Sequence, residues 1–467
     1  MAVPGLQLAD LSIGQVFPNF SSQTSEQSSE PPAEKTHEIG KCREWRFEVA
    51  FGSTVEVKLL RGTAEIFGTE LPTGHKFTFT GCKSAIFTWE GCTLSVTGNP
   101  TVEYTSEETP MTSYSNLHFA LEKLRAIAGD FPVAQGPRVM IIGPEDAGKT
   151  SLIKILTAYA VRQGRKPCVV NLDPKEGMLS LPGTLTATSF STIMDVEEGY
   201  GSSPTSGPSP VPVKLPLVYY YGLESPEGNE RLYRALVSRM ALAVSSRLSE
   251  EDANRTSGCI IDTSGFISQT TGYDLIQHIV AEFSVDVLVV LGSERLYSDM
   301  ARRFEDRQGT VTVVKLAKSG GCVDRDEAFM RTARETAIRE YFFGEPKRTL
   351  SPYTLTVGLN EVNLWRVGEA NSIGASVLPI GIEDTQALLE RTTPTSLLQH
   401  SVAAVLHSEP GDSVEVMAES SVMGFVYIAS VDEQKHYMKI LAPVPGRLPP
   451  KPLVVSSFPE PTASLVG

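Results

Sequence analysis

The sequence predicts an α/β protein with a central parallel-sheet domain flanked by two smaller β domains. Through the middle of the chain, apolar runs suited to strands alternate with helical stretches, which is typical of a parallel sheet covered by helices. Short β-type runs separated by Gly and Pro precede this section, and further β-type runs follow it. A glycine-rich motif lies where a predicted strand passes into a predicted helix, which favours a nucleotide-binding sheet.

Residues 1–113 are predicted to form the N-terminal β domain. From Glu44 to about Tyr104, runs of β-forming residues recur between turns, a pattern typical of a small β-sandwich or barrel. Residues 21–37 are rich in Ser, Gln, Glu and Pro, which bury little apolar surface, so we expect a flexible insert there.

Residues 114–346 are predicted to form the central domain. Leucines three or four positions apart predict a first helix at Ser115–Ala128. Residues 199–212 are rich in Gly, Ser and Pro and are predicted to be a flexible loop. Alternating strands and helices are predicted at Arg138–Ile142, Lys149–Arg162, Cys168–Leu172, Cys259–Ile261, Val285–Leu291 and Asp326–Phe343.

Residues 347–467 are predicted to form a third, mostly β domain. Runs of β-forming residues return there, including Phe425–Ala429 and Met438–Leu441.

Charge and composition exclude several classes of protein. A formal net charge of −14 argues against broad, sequence-independent nucleic-acid binding, because the summed field repels phosphates, although a local basic groove stays open. No run reaches the roughly 18 apolar residues of a membrane span, and the first residues lack the features of a signal peptide. The scattered cysteines form no CxxC pair. We therefore expect a soluble intracellular protein with reduced thiols and no membrane association.

The segment Gly143-Pro-Glu-Asp-Ala-Gly148-Lys149-Thr150 has the full P-loop pattern in its required strand-to-helix context. The glycines allow successive backbone N–H groups to point at phosphate oxygens, and the following helix adds the positive end of its dipole. Lys149 supplies a positive charge for the β- and γ-phosphates, and the Thr150 hydroxyl is expected to bind Mg²⁺. No Asn-Lys-x-Asp segment occurs, which argues against guanine specificity and favours ATP.

Two aspartates could supply a second acidic group near the metal. Asp173 follows the predicted strand Cys168–Leu172, and Asp262 follows the predicted strand Cys259–Ile261. A carboxylate at the carboxyl end of a strand faces the ligand crevice of an open α/β sheet. Each could equally be a solvated turn residue, and the sequence leaves the choice open.

Several short motifs resemble those of one known family. They are Ala64-Glu-Ile-Phe-Gly-Thr-Glu-Leu71, Phe87-Thr-Trp89, Gly136-Pro-Arg-Val139, Pro182-Gly-Thr184, Asp195-Val-Glu-Glu198, Glu294-Arg-Leu-Tyr297, Lys318-Ser-Gly-Gly321 and Ile338-Arg-Glu-Tyr-Phe342. From about residue 44 onward, the chain resembles the ATP-binding subunit of the pre-mRNA 3′-end cleavage and polyadenylation factor, as a fungal-type member. It also resembles the related RNA 5′-hydroxyl kinases. The resemblance implies a kinase-like P-loop domain between the two β domains.

The resemblance also implies which residues hold ATP. Glu44 and Lys83 would contact its adenine end, although from their own sequence context both read as solvated residues of a strand edge. The phosphates would be held by the P-loop residues Gly143, Asp146, Ala147, Gly148, Lys149, Thr150 and Ser151.

One departure from the active kinases concerns their Asp-x-x-Gln stretch, which supplies the catalytic base and helps to position substrate. Here it reads Asp173-Pro174-Lys175-Glu176, so Asp173 stays available as a base while Glu176 adds a negative charge. Two charges about 4 Å apart at an effective dielectric of about 20 interact by roughly 4 kcal/mol. Glu176 would therefore oppose nucleotide approach unless Lys175 or magnesium compensates, or unless its side chain turns to solvent.

A second departure lies in the lid, where active relatives close two arginines, five residues apart, over the transferring phosphate. Arg325 occupies the first position, but Met330 occupies the second. Arg331 is displaced by one residue, a rotation of about 100° on a helix. We therefore expect ATP to be bound and kinase activity to be lost, with Asp173 and Arg325 as vestigial catalytic residues.

The leading hypothesis is an ATP-loaded, non-catalytic scaffold of the nuclear 3′-end processing machinery that endonucleolytic cleavage requires. The resemblance implies a companion cleavage-factor subunit with an RNA polymerase II tail-binding domain, within the larger cleavage and polyadenylation complex. Direct local RNA contact stays open. One rival is an active RNA 5′-hydroxyl kinase that uses Asp173 as base, Arg325 as lid cation and Thr150 as Mg²⁺ ligand. A more distant rival is an ATPase switch that needs no RNA acceptor.

Overall fold

The computed structural model of the chain describes residues 34–197, 216–265, 270–305, 310–345, 348–369 and 387–466. The predicted flexible loop at 199–212 lies outside the described residues, as do residues 21–33 of the predicted flexible insert. Residues 34–37 of that insert form part of a strand, Glu34–Ile39, which pairs along its length with Cys92–Thr97. The prediction of flexibility was wrong for these four residues, because the strand ladder satisfies their backbone groups.

The N-terminal β domain is a sandwich of two sheets. Their strand orders are β1-β8-β3-β6 and β5-β4-β7-β2-β9. Apolar side chains alternate into the space between the sheets, and Trp45, Phe47 and Leu94 are among the most deeply buried. The strands are β1 (Glu34–Ile39), β2 (Arg43–Val49), β3 (Val55–Gly62), β4 (Glu65–Ile66), β5 (Thr69–Glu70), β6 (Lys76–Phe79), β7 (Cys82–Thr88), β8 (Cys92–Thr97) and β9 (Val102–Ser106).

The central domain is a seven-stranded sheet with helices on its faces. Its strands are β10 (Arg138–Ile142), β11 (Cys168–Asn171), β12 (Thr184–Ser189), β13 (Leu217–Tyr220), β14 (Cys259–Asp262), β15 (Val287–Leu291) and β16 (Thr312–Leu316). Its helices are α1 (Met111–Asp130), α2 (Lys149–Arg162), α3 (Glu230–Glu250), α4 (Asp252–Ser257), α5 (Thr270–Glu282), α6 (Glu294–Arg303) and α7 (Glu327–Phe343). The predicted domain boundary at 113/114 falls in the first turn of α1.

The strand order of this sheet is β13-β12-β11-β14-β10-β15-β16. Five neighbouring strands, β11, β14, β10, β15 and β16, are parallel to one another. This arrangement confirms the predicted α/β class. β12 and β13 extend the sheet antiparallel at one edge, and this extension was not predicted. The carboxyl ends of β10, β11 and β14 lie side by side, so the segments that follow these strands meet at one edge.

The C-terminal domain contains a second seven-stranded sheet, in the order β19-β24-β23-β22-β25-β20-β21. β17 (Gly344–Glu345) and β18 (Arg348–Thr349) form a small hairpin before it. The remaining elements are β19 (Tyr353–Gly358), β20 (Leu364–Val367), β21 (Leu389–Arg391), β22 (Val402–Leu406), α8 (Val414–Ala418), β23 (Val422–Asp432), β24 (Tyr437–Ala442) and β25 (Leu453–Val455). Across the described parts of the chain, no helix has the length and apolarity that a membrane span requires.

The β-sandwich is docked on the P-loop helix α2. The turn at Gly68 has φ +82°, and a Cβ there would lie 3.1 Å from the Ile155 carbonyl oxygen, so only glycine allows this close approach. Beside this turn, the Glu65 carboxylate accepts from the Tyr159 hydroxyl and from Arg162 Nη1, the latter at 3.2 Å. The N-terminal domain is thereby fixed against the helix that follows the P-loop.

Candidate functional site

The P-loop connects β10 to α2. Asp146 and Gly148 have φ values of +52° and +87°, which turn the backbone into the start of the helix. Gly148 is the N-cap of α2, and no side chain caps the first N–H groups of that helix. Those N–H groups and the positive end of the helix dipole form an anion-binding end.

A cavity of about 250 Å³ lies over this loop, between the β-sandwich and the central sheet. The predicted site residues that line it are Glu44, Lys83, Asp146, Gly148, Lys149, Thr150, Ser151, Asp173 and Arg325. The structure therefore brings together residues that lie as far apart in sequence as Glu44 and Arg325.

Two predicted site residues, Gly143 and Ala147, do not line the cavity. A Cβ at Gly143 would lie 2.5 Å from the Leu291 carbonyl oxygen, so this glycine allows the loop to pass close to β15. The Ala147 side chain is fully buried beneath the loop. Both side-chain positions thus serve loop packing.

Lys149 and Thr150 begin α2 at the floor of the cavity. Lys149 Nζ donates to the Pro144 carbonyl oxygen at 2.8 Å, so its side chain folds back along the loop. The Thr150 hydroxyl donates to Asp262 Oδ2 at 2.6 Å. Asp262 is the last residue of β14, which is the neighbour of β10 in the sheet.

The two candidate aspartates have different surroundings, and Asp173 but not Asp262 lines the cavity. Asp262 contacts the Thr150 hydroxyl, whereas Asp173 Oδ1 accepts from the Lys175 backbone N–H at 3.0 Å and from Ser264 Oγ at 3.2 Å. Burial raises the pKa of Asp262 to about 7, against the opposing effect of Lys149. Burial also raises the pKa of Asp173, and the charge of nearby Glu176 adds to the effect.

The pair Thr150 and Asp262 fits the needs of a magnesium ion. Mg²⁺ is held in phosphate-binding sites by one or two protein oxygens, together with water and the phosphates themselves. No group of three or more His, Cys, Asp or Glu side chains suited to a metal occurs within the described ranges. A metal at this position would therefore depend on a bound nucleotide for most of its ligands.

Arg325 is held by two carboxylates at the cavity wall. Its Nε donates to Asp146 Oδ1 at 2.7 Å, and its backbone N–H donates to Asp146 Oδ2 at 2.9 Å. The same guanidinium forms an ion pair with Glu176. Burial alone would lower the pKa of Arg325, but the two carboxylates raise it. The guanidinium therefore stays charged, and the two carboxylates balance that charge.

Glu176 was expected to be compensated by Lys175 or magnesium, or to turn to solvent. Its partner in the structure is instead Arg325, while Lys175 Nζ lies 3.6 Å from Glu145 and 3.3 Å from Glu224. Burial would raise the pKa of Glu176, but the Arg325 charge outweighs this effect and holds the pKa below its ordinary value. The Glu176 carboxylate therefore pairs with Arg325, the arginine at the first lid position.

The second lid position is apolar and buried. Met330 is 6% exposed and lines the cavity from the first turns of α7. The displaced Arg331 side chain is 59% exposed and donates to Glu335 at 3.2 Å, one turn along the same helix. Arg331 therefore lies outside the cavity lining, as the sequence predicted.

Glu44 and Lys83 lie at the end of the cavity formed by the β-sandwich. Glu44 is 5% exposed and accepts from Arg46 Nε at 2.6 Å and from Thr109 Oγ1 at 2.9 Å, so it is no solvated edge residue. Lys83 is paired with Glu48 at 3.3 Å. Both therefore have protein partners at this end of the cavity.

Three lining or supporting residues were missed from the sequence. Tyr114 of α1 lines the cavity, and its hydroxyl donates to the Ala317 carbonyl oxygen at 3.2 Å. Cys322 also lines it, and a Cβ on Gly148 would lie 2.5 Å from its sulfur. Arg46 lies against Gly321, where a Cβ would be 2.7 Å from Arg46 Nε. The paired glycines of the motif Lys318-Ser-Gly-Gly321 were the available signal for this close approach.

Three family descriptions match successive parts of the chain. Residues 38–128 match the N-terminal beta-sandwich domain of polyadenylation factor, residues 143–344 match the mRNA cleavage and polyadenylation factor CLP1 P-loop, and residues 350–460 match the pre-mRNA cleavage complex II protein Clp1.

Fungal relatives match the chain over almost its whole length. The chain is 54% identical to the mRNA cleavage and polyadenylation factor clp1 of Botryotinia fuckeliana, with 100% of both chains covered. It is 45% identical to the corresponding factor of Phaeosphaeria nodorum, over 96% of this chain and 98% of that protein.

Two solved structures are similar to the chain. The first is a complex of wild-type Clp1p with a segment of Pcf11p, at TM-score 0.82 and 30% identity, covering 91% of this chain and 98% of that one. The second describes an extended Pcf11p–Clp1p interface and the basis of ATP loss in a glycine-to-arginine mutant. Its TM-score is 0.81 at 29% identity, with 91% and 99% covered.

Proposed function

The chain belongs to the Clp1 family of mRNA cleavage and polyadenylation factors, and we propose that it acts there as an ATP-bound scaffold without kinase activity. The P-loop domain accounts for nucleotide binding. The finer assignments of ATP, magnesium and lost catalysis form the proposal, together with domain boundaries at 113/114 and 346/347.

In the proposed complex, ATP lies in the cavity between the β-sandwich and the P-loop. The N–H groups of the loop and Lys149 would bind the phosphates, and Thr150 and Asp262 are the residues that would hold Mg²⁺. Glu44 and Lys83 contact the adenine end. The ligand would contact both domains, and its binding to the folded state alone would stabilise that state against unfolding by about 2.7 kcal/mol when ATP is a hundredfold above its Kd.

The observation that carries the loss of activity is the pairing of Arg325 with Asp146 and Glu176. A lid arginine stabilises the transferring phosphoryl group through charge that no other group has already neutralised. Here that charge is shared by two carboxylates, and the second lid position holds the apolar Met330. ATP can be enclosed by such a lid without its γ-phosphate being activated.

The proposed partner is a companion cleavage-factor subunit that carries an RNA polymerase II tail-binding domain. The similar solved structures are complexes with Pcf11p, which supports a subunit of that kind as the direct partner. The protein would then work in the nucleus as part of the larger cleavage and polyadenylation complex. Direct contact with RNA would be local, given the net charge of −14.

The test is to identify the nucleotide released from freshly purified protein and to follow it for hours at working temperature. Intact ATP near one per chain, with no phosphate transfer to a 5′-hydroxyl oligoribonucleotide, is the expected result. Lys149→Ala should lose both the nucleotide and part of the thermal stability. ADP, an empty site, or full stability of Lys149→Ala would contradict the scaffold.

An active RNA 5′-hydroxyl kinase remains the second candidate, because Asp173 lies in the cavity wall where a base would be needed. Phosphate transfer from labelled ATP to the oligoribonucleotide, abolished by Asp173→Ala, would establish it. Phosphate release without an RNA acceptor would instead favour an ATPase switch.

A further inference from the structure

After β25 the chain leaves the C-terminal sheet and crosses onto the central domain. We call residues 456–462 the tail strap. The Phe458 N–H donates to the Gly222 carbonyl oxygen at 3.2 Å, in the segment that follows β13. The strap then returns to its own domain, where the Thr462 carbonyl oxygen accepts from the Tyr427 hydroxyl at 2.8 Å.

The strap contacts the lid helix α7 through one buried arginine. The Arg334 side chain is 5% exposed. Its Nη2 donates to Glu460 Oε1 at 2.6 Å and its Nε to Glu460 Oε2 at 3.2 Å. The guanidinium also lies 5.3 Å from the centre of the Phe458 ring, and Nη2 reaches Glu327 at 2.7 Å. A two-pronged contact at this burial fixes the helix more firmly than an exposed pair would.

The same strap contacts the segment that carries Glu176. A Cβ on Gly183 would lie 3.2 Å from the Phe458 carbonyl oxygen, so strap and segment are in close contact. The Gly183 N–H donates to the Pro174 carbonyl oxygen at 2.8 Å, which closes the loop that contains Glu176. The strap therefore contacts the residue that closes this loop, and not the Glu176 carboxylate itself.

The strap thus contacts both elements next to the Arg325–Glu176 ion pair, namely helix α7 through Arg334 and the loop that contains Glu176 through Gly183. On the lid side, Met330 lines the cavity and lies one helical turn before Arg334, on the same face of α7. Arg325 precedes the helix by two residues. Because Arg334 and Met330 belong to one continuous helix, a shift of α7 at Arg334 would also move the cavity wall at Met330.

We propose that the tail strap holds the nucleotide cavity closed, with Glu460 acting through Arg334 as a positioning residue for the lid. This inference rests on the proposed function, since it concerns retention of the bound nucleotide. The C-terminal domain then controls how fast ATP leaves a cavity that none of its described residues lines.

The experiment measures release of labelled ATP from the full chain after a chase with excess unlabelled ATP. Glu460→Gln keeps the shape of the side chain and removes its charge. The matched control is Glu409→Gln, an exposed carboxylate of the same domain that pairs with Lys451 away from α7. Glu460→Gln should release ATP about tenfold faster than wild type, and Glu409→Gln should not. Glu460→Asp, which restores the charge, should recover slow release in part.

Two further variants keep the test decisive if Glu460→Gln folds poorly. Phe458→Leu removes the ring beneath the guanidinium, and Arg334→Lys keeps the charge but loses the two-pronged contact. Faster release from these variants, with unfolding temperatures of the nucleotide-free proteins within a few degrees of wild type, would support the strap. Wild-type release rates in all of them would overturn it. A wild-type chain that retains no labelled ATP would overturn the proposed function as well, so the two failures are distinguishable.

Discussion

The Thr150 hydroxyl donates to Asp262 Oδ2 at 2.6 Å, joining the first turn of the P-loop helix to the end of the neighbouring strand. Thr150 lines the floor of the cavity, where the phosphates would lie, and the buried Asp262 contacts its hydroxyl from outside the cavity lining. Thr150 and Asp262 would be the residues that hold a magnesium ion bound with the phosphates.

Replacing Asp262 by Asn should therefore weaken magnesium-dependent retention of ATP. We expect release of ATP to become about tenfold faster in magnesium, because removal of a carboxylate beside a metal typically costs at least this much. The measurement is ATP release in magnesium and in EDTA. Asp173→Asn is the control, since Asp173 lines the cavity without contacting Thr150. Equal magnesium dependence in wild type and Asp262→Asn would contradict the assignment.

Asp262 should also make the stability of the nucleotide-free protein depend on pH. Burial raises its pKa from the ordinary 3.8 to about 7, so the folded state holds a proton that the unfolded state has released. The contribution of this proton to the free energy of unfolding is fully present below about pH 4. It is lost as pH rises towards 7, at about 1.4 kcal/mol per pH unit. Denaturant unfolding at pH 5 and pH 7.5 should show wild type losing stability relative to Asp262→Asn. A constant difference between the two proteins would contradict the raised pKa.

Gly148→Ala should lower nucleotide occupancy. The backbone there has φ +87°, and a Cβ would lie 2.5 Å from the Cys322 sulfur, so alanine strains the loop and displaces the lid segment. Gly164→Ala is the matched control, because Gly164 has φ +76° but no heavy atom within 4 Å of the added Cβ. Both variants lose roughly 1 kcal/mol or more of stability from the backbone conformation. Only Gly148→Ala should also lose ATP. Equal nucleotide occupancy in the two variants would contradict phosphate binding by the P-loop backbone at Gly148.

The parts of the fold that local sequence determines could be predicted. The P-loop strand and helix have the predicted bounds, Arg138–Ile142 and Lys149–Arg162, because an apolar run and a glycine-rich turn mark them. The strands Thr184–Ser189 and Leu217–Tyr220, which form the antiparallel edge of the sheet, were not predicted. Three of the six residues of Thr184–Ser189 are threonines and only Leu185 and Ala187 are apolar, so this buried strand has no continuous apolar run to mark it.

The site was predictable where it is continuous in sequence or where the resemblance supplied the residues. The contact between Asp262 and Thr150 required the strand order, which places β14 beside β10. Arg325 pairs with Glu176 and Asp146, which lie 149 and 179 positions before it in the sequence. Neither contact could be inferred from sequence spacing. Sequence reasoning identified the departure at Glu176 but not its partner.

The proposed loss of catalysis predicts that two substitutions together should restore some phosphate transfer. Glu176→Gln frees Arg325 from one of its two carboxylates, and Met330→Arg places a second cation on the cavity wall. We expect the double variant to transfer phosphate from labelled ATP to a 5′-hydroxyl oligoribonucleotide at about 100 times the assay background, which the wild-type chain should not exceed, since one charge-stabilising group is typically worth this much. Each single change should give less.

Asp173→Ala in the double variant should abolish the restored transfer, because Asp173 is the residue to which the family resemblance assigns the base. Arg331→Met is the control, since this exposed side chain pairs with Glu335 outside the cavity and its loss should change nothing. Transfer by the wild-type chain would contradict the proposed inactivity. A double variant that keeps ATP but transfers no phosphate would show instead that the lid charges are not what the site lacks, and that the substrate-binding surface itself has been lost.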